Sequence, residues 1–270
     1  MPTAPSNPAG TPAAVRDVYS GAERELWELV MGEQIHIDGL ASSLALAAKA
    51  GVEPGGTAVD LCCCSGAGLR FLLRFAQVAQ GIGVDMTPAV LRLGAERNRR
   101  DGVDGCIRFV QADARASGLP DAGADLVWGE DAWCYVPDKP ALVREAVRLA
   151  KPGGTIAFTD WMWGASPPEA AAGERFLRFM KFPDLMSLDS YRAAFAAAGA
   201  RIEVAEDTGR FAPAIERYLA DLAGQHTWDA LRIIGFDQAM AGAIIGEMRH
   251  ALELGRAGAV VQGLIVARKP

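Results

Sequence analysis

Short apolar runs alternate along the chain with segments that carry apolar residues at helical spacing. Short apolar runs bounded by turn residues predict strands, and the helical periodicity predicts amphipathic helices. We predict strands at 57–61, 81–85, 106–111, 124–129, 155–160, 201–206 and 259–267. We predict helices at 13–33, 40–51, 67–78, 88–100, 138–150, 168–183 and 187–198, and a mostly helical stretch at 212–257. This alternation indicates an α/β fold whose sheet is mainly parallel, with helices on both faces.

The start of the chain and its last third depart from this alternation. Residues 1–12 are rich in Pro, Ala, Ser and Gly, which predicts a flexible tail before a single domain at 13–270. The helical stretches at about 168–183 and 212–257 either pack the sheet edge or cover a substrate pocket. We favour a substrate cap, because parallel sheets bind ligands at the carboxyl ends of their strands.

Composition narrows the classes of function. The 270-residue chain has a net charge of −6 and no basic run, which argues against a nucleic-acid surface and favours a small-molecule partner. No apolar stretch is long enough to span a bilayer and no signal-peptide pattern begins the chain, so we expect no membrane association and a cytoplasmic location. Five cysteines, three of them consecutive, form a poor disulfide framework, so we expect reduced thiols. The oligomeric state stays open, with a homodimer as one option.

A strand–turn–helix pattern follows the first predicted strand, which ends in an acid and a tight turn. Such a turn directs backbone N–H groups and the positive end of a helix dipole at a ligand above the sheet. The segment resembles motif I of the class I S-adenosylmethionine (SAM) methyltransferases, in which an acid precedes a glycine-rich turn. Two of the glycines expected from this resemblance are replaced by cysteines in this chain. The resemblance implies SAM contacts at Asp60, Cys62, Cys64, Gly66 and Gly68.

Acidic residues also end or follow the next three strands. The resemblance implies that Asp85 binds the ribose hydroxyls, that Asp113 binds the adenine amino group and that Glu130 lies beneath the sulfonium. Met86 and Ala114 complete these contacts. An acid after a strand is often only a helix cap, but four such sites in order favour a Rossmann-like class I methyltransferase sheet, mostly parallel and with seven strands. A nicotinamide site is not favoured, because the first turn lacks G-x-G-x-x-G.

The N-terminal segment carries a second resemblance. Tyr19 and the stretch Met31–Gly39 resemble the lid of the sarcosine/dimethylglycine N-methyltransferases and related small-molecule methyltransferases. In that group a tyrosine and a histidine-containing segment close over the methionine end of SAM. The resemblance implies a helical lid at about 13–50 and a SAM contact at Gln34.

Four residues near the expected reaction centre are candidate catalytic groups: Tyr19, His36, Asp131 and Tyr135. Related enzymes often carry a histidine where this chain has Tyr135. A tyrosine is a poor base at neutral pH because its usual pKa is about 10. His36 could alternatively form only a structural hydrogen bond.

Aromatic residues cluster after the fourth and fifth predicted strands. Trp133, Trp161 and Trp163 are candidate walls of a pocket for an apolar, aromatic or cationic substrate, with core filling as the alternative. Cys134 lies beside the expected reaction centre. Lys181 could bind a substrate carboxylate or lie at the surface.

These patterns support two functional hypotheses. The first is SAM-dependent methyl transfer to a small acceptor through nitrogen or sulfur, since the sequence shows no dedicated base for a hydroxyl or carbon acceptor. The second is a methyltransferase fold with an altered SAM site, in which Cys62, Cys64 or Cys134 carries a thiol-assisted substitution or elimination. A non-catalytic binding protein is a weaker third reading. We expect no metal, because consecutive cysteines lack the spacing of zinc ligands.

Overall fold

The computed structural model describes residues 11–270. Seven strands are present: β1 (Thr57–Leu61), β2 (Gln80–Asp85), β3 (Ile107–Gln111), β4 (Ala124–Glu130), β5 (Ala150–Trp163), β6 (Arg201–Asp207) and β7 (Val260–Arg268). The helices before and within the first half of the sheet are α1 (Pro12–Ser20), α2 (Ala22–Met31), α3 (Gly39–Ala50), α4 (Ala67–Phe75), α5 (Pro88–Arg100) and α6 (Lys139–Leu149). The later helices are α7 (Ala170–Met180), α8 (Leu188–Ala197), α9 (Phe211–Ala223), α10 (Thr227–Ile233) and α11 (Gln238–Arg256).

The seven strands form one sheet in the order β3-β2-β1-β4-β5-β7-β6. The first five strands of this order are parallel, whereas β7 runs antiparallel to both β5 and β6. This is the mostly parallel, Rossmann-like sheet of the class I methyltransferases, so the predicted fold is confirmed. Strand order reverses between β1 and β4, and α/β sheets bind their ligands at such a switch point.

The buried residues explain why the strands were visible in the sequence. β1 is buried over four of its five residues and β7 over eight of its nine. One apolar cluster on the sheet includes Trp133, Phe158 and Tyr191, and another includes Leu69, Phe71 and Trp128. Because helices cover both faces of the central strands, successive residues of these strands are buried instead of alternating between buried and exposed, and polar residues such as Asp60 and Gln262 are buried among them.

Several element boundaries differ from the prediction. Gly21 divides the predicted helix 13–33 into α1 and α2, and the stretch 212–257 is three helices separated near Gly224 and Gly235. β5 extends beyond the predicted 155–160 at both ends and includes Pro152, Gly153 and Gly154. Glycine destabilises the interior of a helix, which explains why the breaks between these helices fall at glycines.

The predicted tail is only partly within the described structure. Residues 1–10 lie outside the described residues, whereas Thr11 caps α1 by accepting a hydrogen bond from the backbone of Ala14 at 3.2 Å. Pro12 therefore begins a helix, as proline favours at a first helical position. Within residues 11–270, no helix is long and apolar enough to cross a bilayer.

Candidate active site

A cavity lies across the carboxyl ends of β1 to β4 and is covered by α1 and the segment between α2 and α3. Together with its open mouth it encloses about 1070 Å³. Most of the residues predicted for cofactor binding and catalysis line it: Tyr19, Gln34, His36, Asp60, Cys62, Cys64, Gly68, Asp85, Met86, Asp113, Ala114, Glu130, Asp131 and Tyr135.

The turn after β1 has the backbone of a glycine-rich loop although cysteines replace two glycines. Cys62 has φ of 65° and Cys64 has φ of 48°, and Gly66 follows with φ of 74°. This left-handed region favours glycine, because a side chain there crowds its own carbonyl. The turn is held from below, where Val84 O accepts hydrogen bonds from the backbone N–H groups of Cys62 at 2.9 Å and Cys63 at 3.1 Å. The cysteines therefore keep the predicted loop shape at a cost in backbone strain.

The two retained glycines serve different purposes. Gly66 does not line the cavity, and a Cβ there would lie 2.7 Å from the ring of Phe109. A Cβ on Gly68 would lie 2.9 Å from Glu130 Oε2 and 3.1 Å from Asp60 Oδ2. Gly68 thus leaves room above the strand ends, whereas Gly66 permits the turn to pack on β3.

Asp85 and Asp113 both accept hydrogen bonds from nearby residues. Asp85 Oδ2 accepts from the backbone of Cys64 at 3.0 Å and Oδ1 from that of Thr87 at 2.8 Å. Burial nevertheless raises the pKa of Asp85. Arg115 Nη2 donates to Asp113 Oδ2 at 2.6 Å, which lowers the pKa of Asp113 and favours its ionised form. The Asp113 carboxylate is also partly exposed.

Glu130 joins the cavity floor to the covering segment. Ser43 Oγ on α3 donates to Glu130 Oε1 at 2.6 Å, and it accepts from Gln34 Nε2 at 3.1 Å. His36 Nε2 lies 3.2 Å from the same hydroxyl and 3.4 Å from Glu130 Oε1. His36 is 4% exposed, and its ring is held within this network. This placement agrees with the alternative that His36 forms a structural hydrogen bond.

Asp131 is also occupied by structural partners. Its Oδ2 accepts from the backbone N–H of Ile37 at 2.8 Å, and Gln262 Nε2 on β7 donates to both of its oxygens at 3.0 and 2.9 Å. Burial raises the pKa of Asp131, while the nearby His36 opposes this shift. Asp131 therefore anchors the segment over the cavity to the sheet. Sequence reasoning missed Gln262 and Ser43, because neither lies in a recognisable motif.

Tyr19 and Tyr135 form the aromatic part of the cavity wall. Their rings meet edge to face with centroids 5.5 Å apart. Burial is the main cause that raises the pKa of both phenols above the ordinary value. Both hydroxyls are neutral at physiological pH and can orient a ligand by hydrogen bonds.

The thiols near the cavity are neutral. Burial raises the pKa of Cys64 to about 12, and it raises the pKa of Cys62 and Cys134 well above the ordinary value. A thiol reacts as its thiolate, so these surroundings suppress nucleophilicity. The described part of the chain contains no group of three or more His, Cys, Asp or Glu side chains able to hold a metal ion.

The five residues predicted for substrate binding do not line this cavity. Trp133 is fully buried and stacks on Phe158 with centroids 4.0 Å apart, so it fills the core, and its predicted place in a pocket wall is corrected. Trp161 and Trp163 pack on Phe176, again as core residues.

The other two predicted substrate residues also have structural partners. Cys134 is fully buried, and its backbone N–H donates to Asp160 Oδ1 at 2.8 Å. Lys181 Nζ binds Glu23 Oε1 at 2.6 Å in an ion pair at the rim of a second cavity. Lys181 is therefore not free to bind a substrate carboxylate in the first cavity.

Ion pairs that the sequence did not reveal connect the covering segment to the turn after β1. Glu33 contacts Arg70 Nη2 at 3.3 Å and Arg100 Nη2 at 3.0 Å, and Glu28 on α2 pairs with Arg97. Arg70 in turn donates to Ser65 O at 2.7 Å. Helix α2 and the segment that follows it are thereby held against α4 and α5, next to the cysteine-containing turn.

Residues 59–158 match the methyltransferase domain family. The chain is 30% identical to dimethylglycine N-methyltransferase of Parasynechococcus marenigrum, over 80% of this chain and 76% of that protein. It is also 30% identical to 27-O-demethylrifamycin SV methyltransferase of Amycolatopsis mediterranei, over 70% of this chain and 68% of that protein. It spans a smaller part, 41%, of a 26% identical phosphoethanolamine N-methyltransferase of Triticum aestivum.

Solved structures share the fold at lower identity. A structure described as a sarcosine dimethylglycine methyltransferase from Galdieria sulphuraria superposes with a TM-score of 0.82 at 22% identity, over 92% of this chain and 98% of that chain. A Haemonchus contortus phosphoethanolamine N-methyltransferase 2, in complex with phosphomonomethylethanolamine and S-adenosylhomocysteine, gives a TM-score of 0.82 at 20% identity, over 94% of this chain and 58% of that chain. Together with the sheet order and the acids at its strand ends, these relatives show that the chain belongs to the class I SAM-dependent methyltransferases.

Proposed function

We propose that this chain transfers the methyl group of SAM to a nitrogen or sulfur nucleophile of a small molecule. The observation that carries this proposal is a cavity at the switch point of the sheet that is lined by acids, and in which His36 and Asp131 are held by hydrogen bonds to other side chains.

The cavity residues fit SAM. The left-handed turn at Cys62–Gly66 and the lack of a side chain at Gly68, which lines the cavity, let a ligand come close to the backbone. Asp85 and Met86 would hold the ribose, Asp113 and Ala114 the adenine, and Gln34 and Glu130 the methionine end. When bound, SAM supplies an activated methyl carbon, to which the acceptor lone pair bonds while the carbon–sulfur bond breaks and leaves its electrons on sulfur.

The charge of the cavity suits a cationic cofactor. Asp60, Asp85 and Glu130 line it together with the rings of Tyr19 and Tyr135. Burial raises the pKa of Asp60 and Asp85, and a sulfonium or ammonium ion beside them would favour their ionised forms. Carboxylates and aromatic faces both attract such a cation. These groups would hold positive charge without taking part in proton transfer.

The state of the four candidate catalytic residues supports an acceptor that needs no strong base. His36 and Asp131 are engaged by Ser43 and Gln262, and the pKa of each tyrosine is raised by burial. A neutral amine or a thiolate can attack without being deprotonated by these groups, whereas an alcohol or carbon acid could not. We therefore assign Tyr19, His36, Asp131 and Tyr135 to positioning and exclusion of water.

The lid at about 13–50 and the cap at about 168–183 and 212–257 would close the site. Holding the nucleophile and the methyl carbon in line and excluding water lowers the barrier through orientation. Thiol-assisted chemistry is not favoured, since burial raises the pKa of Cys62, Cys64 and Cys134.

The test is S-adenosylhomocysteine formation by the purified chain with SAM and a panel of amines, thiols, phenols and alcohols. We expect turnover with amines or thiols and none with simple alcohols. Turnover restricted to alcohols, or conversion of an acceptor without S-adenosylhomocysteine formation, would contradict the proposal.

A further inference from the structure

A second cavity lies between α2, the end of α7, α9, α10 and α11. It encloses about 1100 Å³ including its mouth. Every described residue that lines it is apolar except Glu23 and Lys181, which form the ion pair at its rim. Its composition is that of a site for an apolar small molecule.

Apolar side chains on the helices around this cavity remain partly exposed. Neither α2 nor α10 has a buried residue, although α2 presents Leu26, Trp27 and Val30 to the cavity. Met240 on α11 also faces the cavity and is 49% exposed. Contact with an apolar ligand would stabilise this surface, because the contact removes apolar area from water.

The second cavity and the cavity at the switch point have no described lining residue in common, but one aromatic contact links their surroundings. Phe182, the neighbour of the rim residue Lys181, packs edge to face on Tyr135 with ring centroids 4.8 Å apart. The carboxylate of Glu23 is near enough to Tyr135 to contribute to its raised pKa. A ligand that extends from the second cavity past Phe182 would therefore meet Tyr135, which lines the cavity at the switch point.

The charges of the two cavities argue against a zwitterionic acceptor. Apart from His36, the described residues that line either cavity include two cations, and both are paired: Arg115 with Asp113, and Lys181 with Glu23. An acceptor carboxylate would have to share one of these cations with the carboxylate already paired to it. Acidic side chains outnumber these two cations among the described lining residues, so the charge of the cavities favours an amine over an anionic acceptor.

We propose that the second cavity holds the apolar body of the methyl acceptor, which is a hydrophobic amine rather than a small glycine derivative. This assignment rests on the proposed function for the transfer itself. The amine nitrogen would lie toward Tyr135, and its hydrocarbon part would lie between α2 and α11. After transfer, the methylated nitrogen releases a proton to water.

The first test measures binding separately from turnover. Butylamine, octylamine and dodecylamine are titrated calorimetrically, below their micelle concentrations, into protein saturated with S-adenosylhomocysteine. We expect the affinity to rise about threefold to fourfold for each added CH₂ group until the cavity is filled. Equal affinities for the three amines would overturn the proposal.

The second test fills the cavity. Val30→Trp and Ile244→Trp place an indole in it from two different helices, and Leu44→Trp places one on the exposed face of α3 as a matched control. We expect each cavity variant to bind octylamine at least tenfold more weakly, with the S-adenosylhomocysteine affinity unchanged, and the control to bind both like the wild type. Two variants are used so that one misfolded protein does not decide the result, and circular dichroism reports folding.

The outcomes separate this inference from the proposed function. Cavity-dependent binding of octylamine without methylation of any amine would support the site and contradict methyl transfer to nitrogen. Methylation of short and long amines alike, insensitive to both filling variants, would support the transfer and overturn the second cavity as the acceptor site.

Discussion

At the scale of single residues, the main departure from the family pattern lies at Cys62 and Cys64. Both keep the left-handed backbone that glycine adopts at little cost, although each carries a side chain. For an L-residue this conformation costs roughly 1–2 kcal/mol. The cysteines are therefore tolerated substitutes in the loop, and their raised pKa removes them from nucleophilic chemistry.

Replacing Cys64 by glycine should leave both the fold and the reaction intact. We expect Cys64→Gly to match the wild-type free energy of unfolding or exceed it by up to about 1 kcal/mol, because relief of strain outweighs the entropy of glycine in the unfolded chain. Cys106→Gly is the matched control: φ of Cys106 is not positive, so glycine should destabilise there by about 0.5–1 kcal/mol. Denaturant unfolding and S-adenosylhomocysteine formation are the readouts. Loss of turnover in Cys64→Gly would favour the thiol mechanism.

Replacing Asp85 by alanine should weaken SAM binding. The carboxylate is assigned to the ribose, and it also accepts hydrogen bonds from the backbone of Cys64 and Thr87. We expect Asp85→Ala to lose about 1–3 kcal/mol of SAM binding energy by calorimetry. Asp104→Ala, at an exposed loop position, is the control. An unchanged dissociation constant in folded Asp85→Ala protein would refute the ribose assignment.

At the scale of elements, the strand ends were predictable and the contacts between distant elements were not. Asp60, Asp85 and Asp113 were found because each follows an apolar run, and the carboxyl ends of parallel strands meet at one edge. Gln262 was not found, since its partner Asp131 is 131 residues away and β7 looks like an ordinary buried strand.

The sequence also did not indicate which side of the sheet a side chain faces. Trp133 follows β4 closely, yet its short helical turn directs the indole onto Phe158 in the core. Residues beside a strand end can point above or below the sheet, and only the conformation of the turn decides between them. Aromatic spacing therefore could not distinguish a pocket wall from core packing.

The covering segment should depend on Asp131 as an anchor. Asp131→Asn replaces one acceptor oxygen by a donor, so either the hydrogen bond from Ile37 N–H to Oδ2 or the one from Gln262 Nε2 to Oδ1 is lost. We expect S-adenosylhomocysteine binding to weaken by about 1–3 kcal/mol, because the covering segment is held less firmly on the sheet. Asp125→Asn, at the opposite end of β4, should leave this affinity unchanged. If Asp131→Asn lowered kcat alone, with a shifted pH profile and unchanged cofactor affinity, Asp131 would be a general base.

At the scale of the whole molecule, several buried carboxyl groups favour protonation in the folded state. Burial raises the pKa of Asp160 to about 7, against a hydrogen bond from Tyr191 at 2.7 Å that favours the charged form. Asp160 joins β5 to α8 and to the backbone of Cys134. It therefore links the sheet to the turn that carries Tyr135.

The sign of the pH effect follows from the raised pKa. An aspartate in an unfolded chain titrates near pH 3.9, so the folded state binds the additional proton between about pH 4 and pH 7. The stability contributed by Asp160 is present below this window and is lost as pH rises through it. From pH 5.5 to pH 7.5 we expect a loss of about 1–2 kcal/mol from this group.

The difference between the unfolding free energies of the wild type and Asp160→Asn isolates this effect. We expect that difference to fall with rising pH across the window, as measured by denaturant unfolding at several pH values. Asp189→Asn is the control, because Asp189 has a side chain 91% exposed. A difference that does not change with pH would mean that Asp160 is ionised throughout.

We assign SAM to the cavity at the sheet's switch point, despite its cysteine-containing turn. Titration calorimetry of the purified protein with SAM and with S-adenosylhomocysteine tests this assignment most directly. We expect both to bind one to a chain and to compete, and we expect Asp85→Ala to weaken both. Absence of binding of either ligand to a correctly folded sample would contradict it.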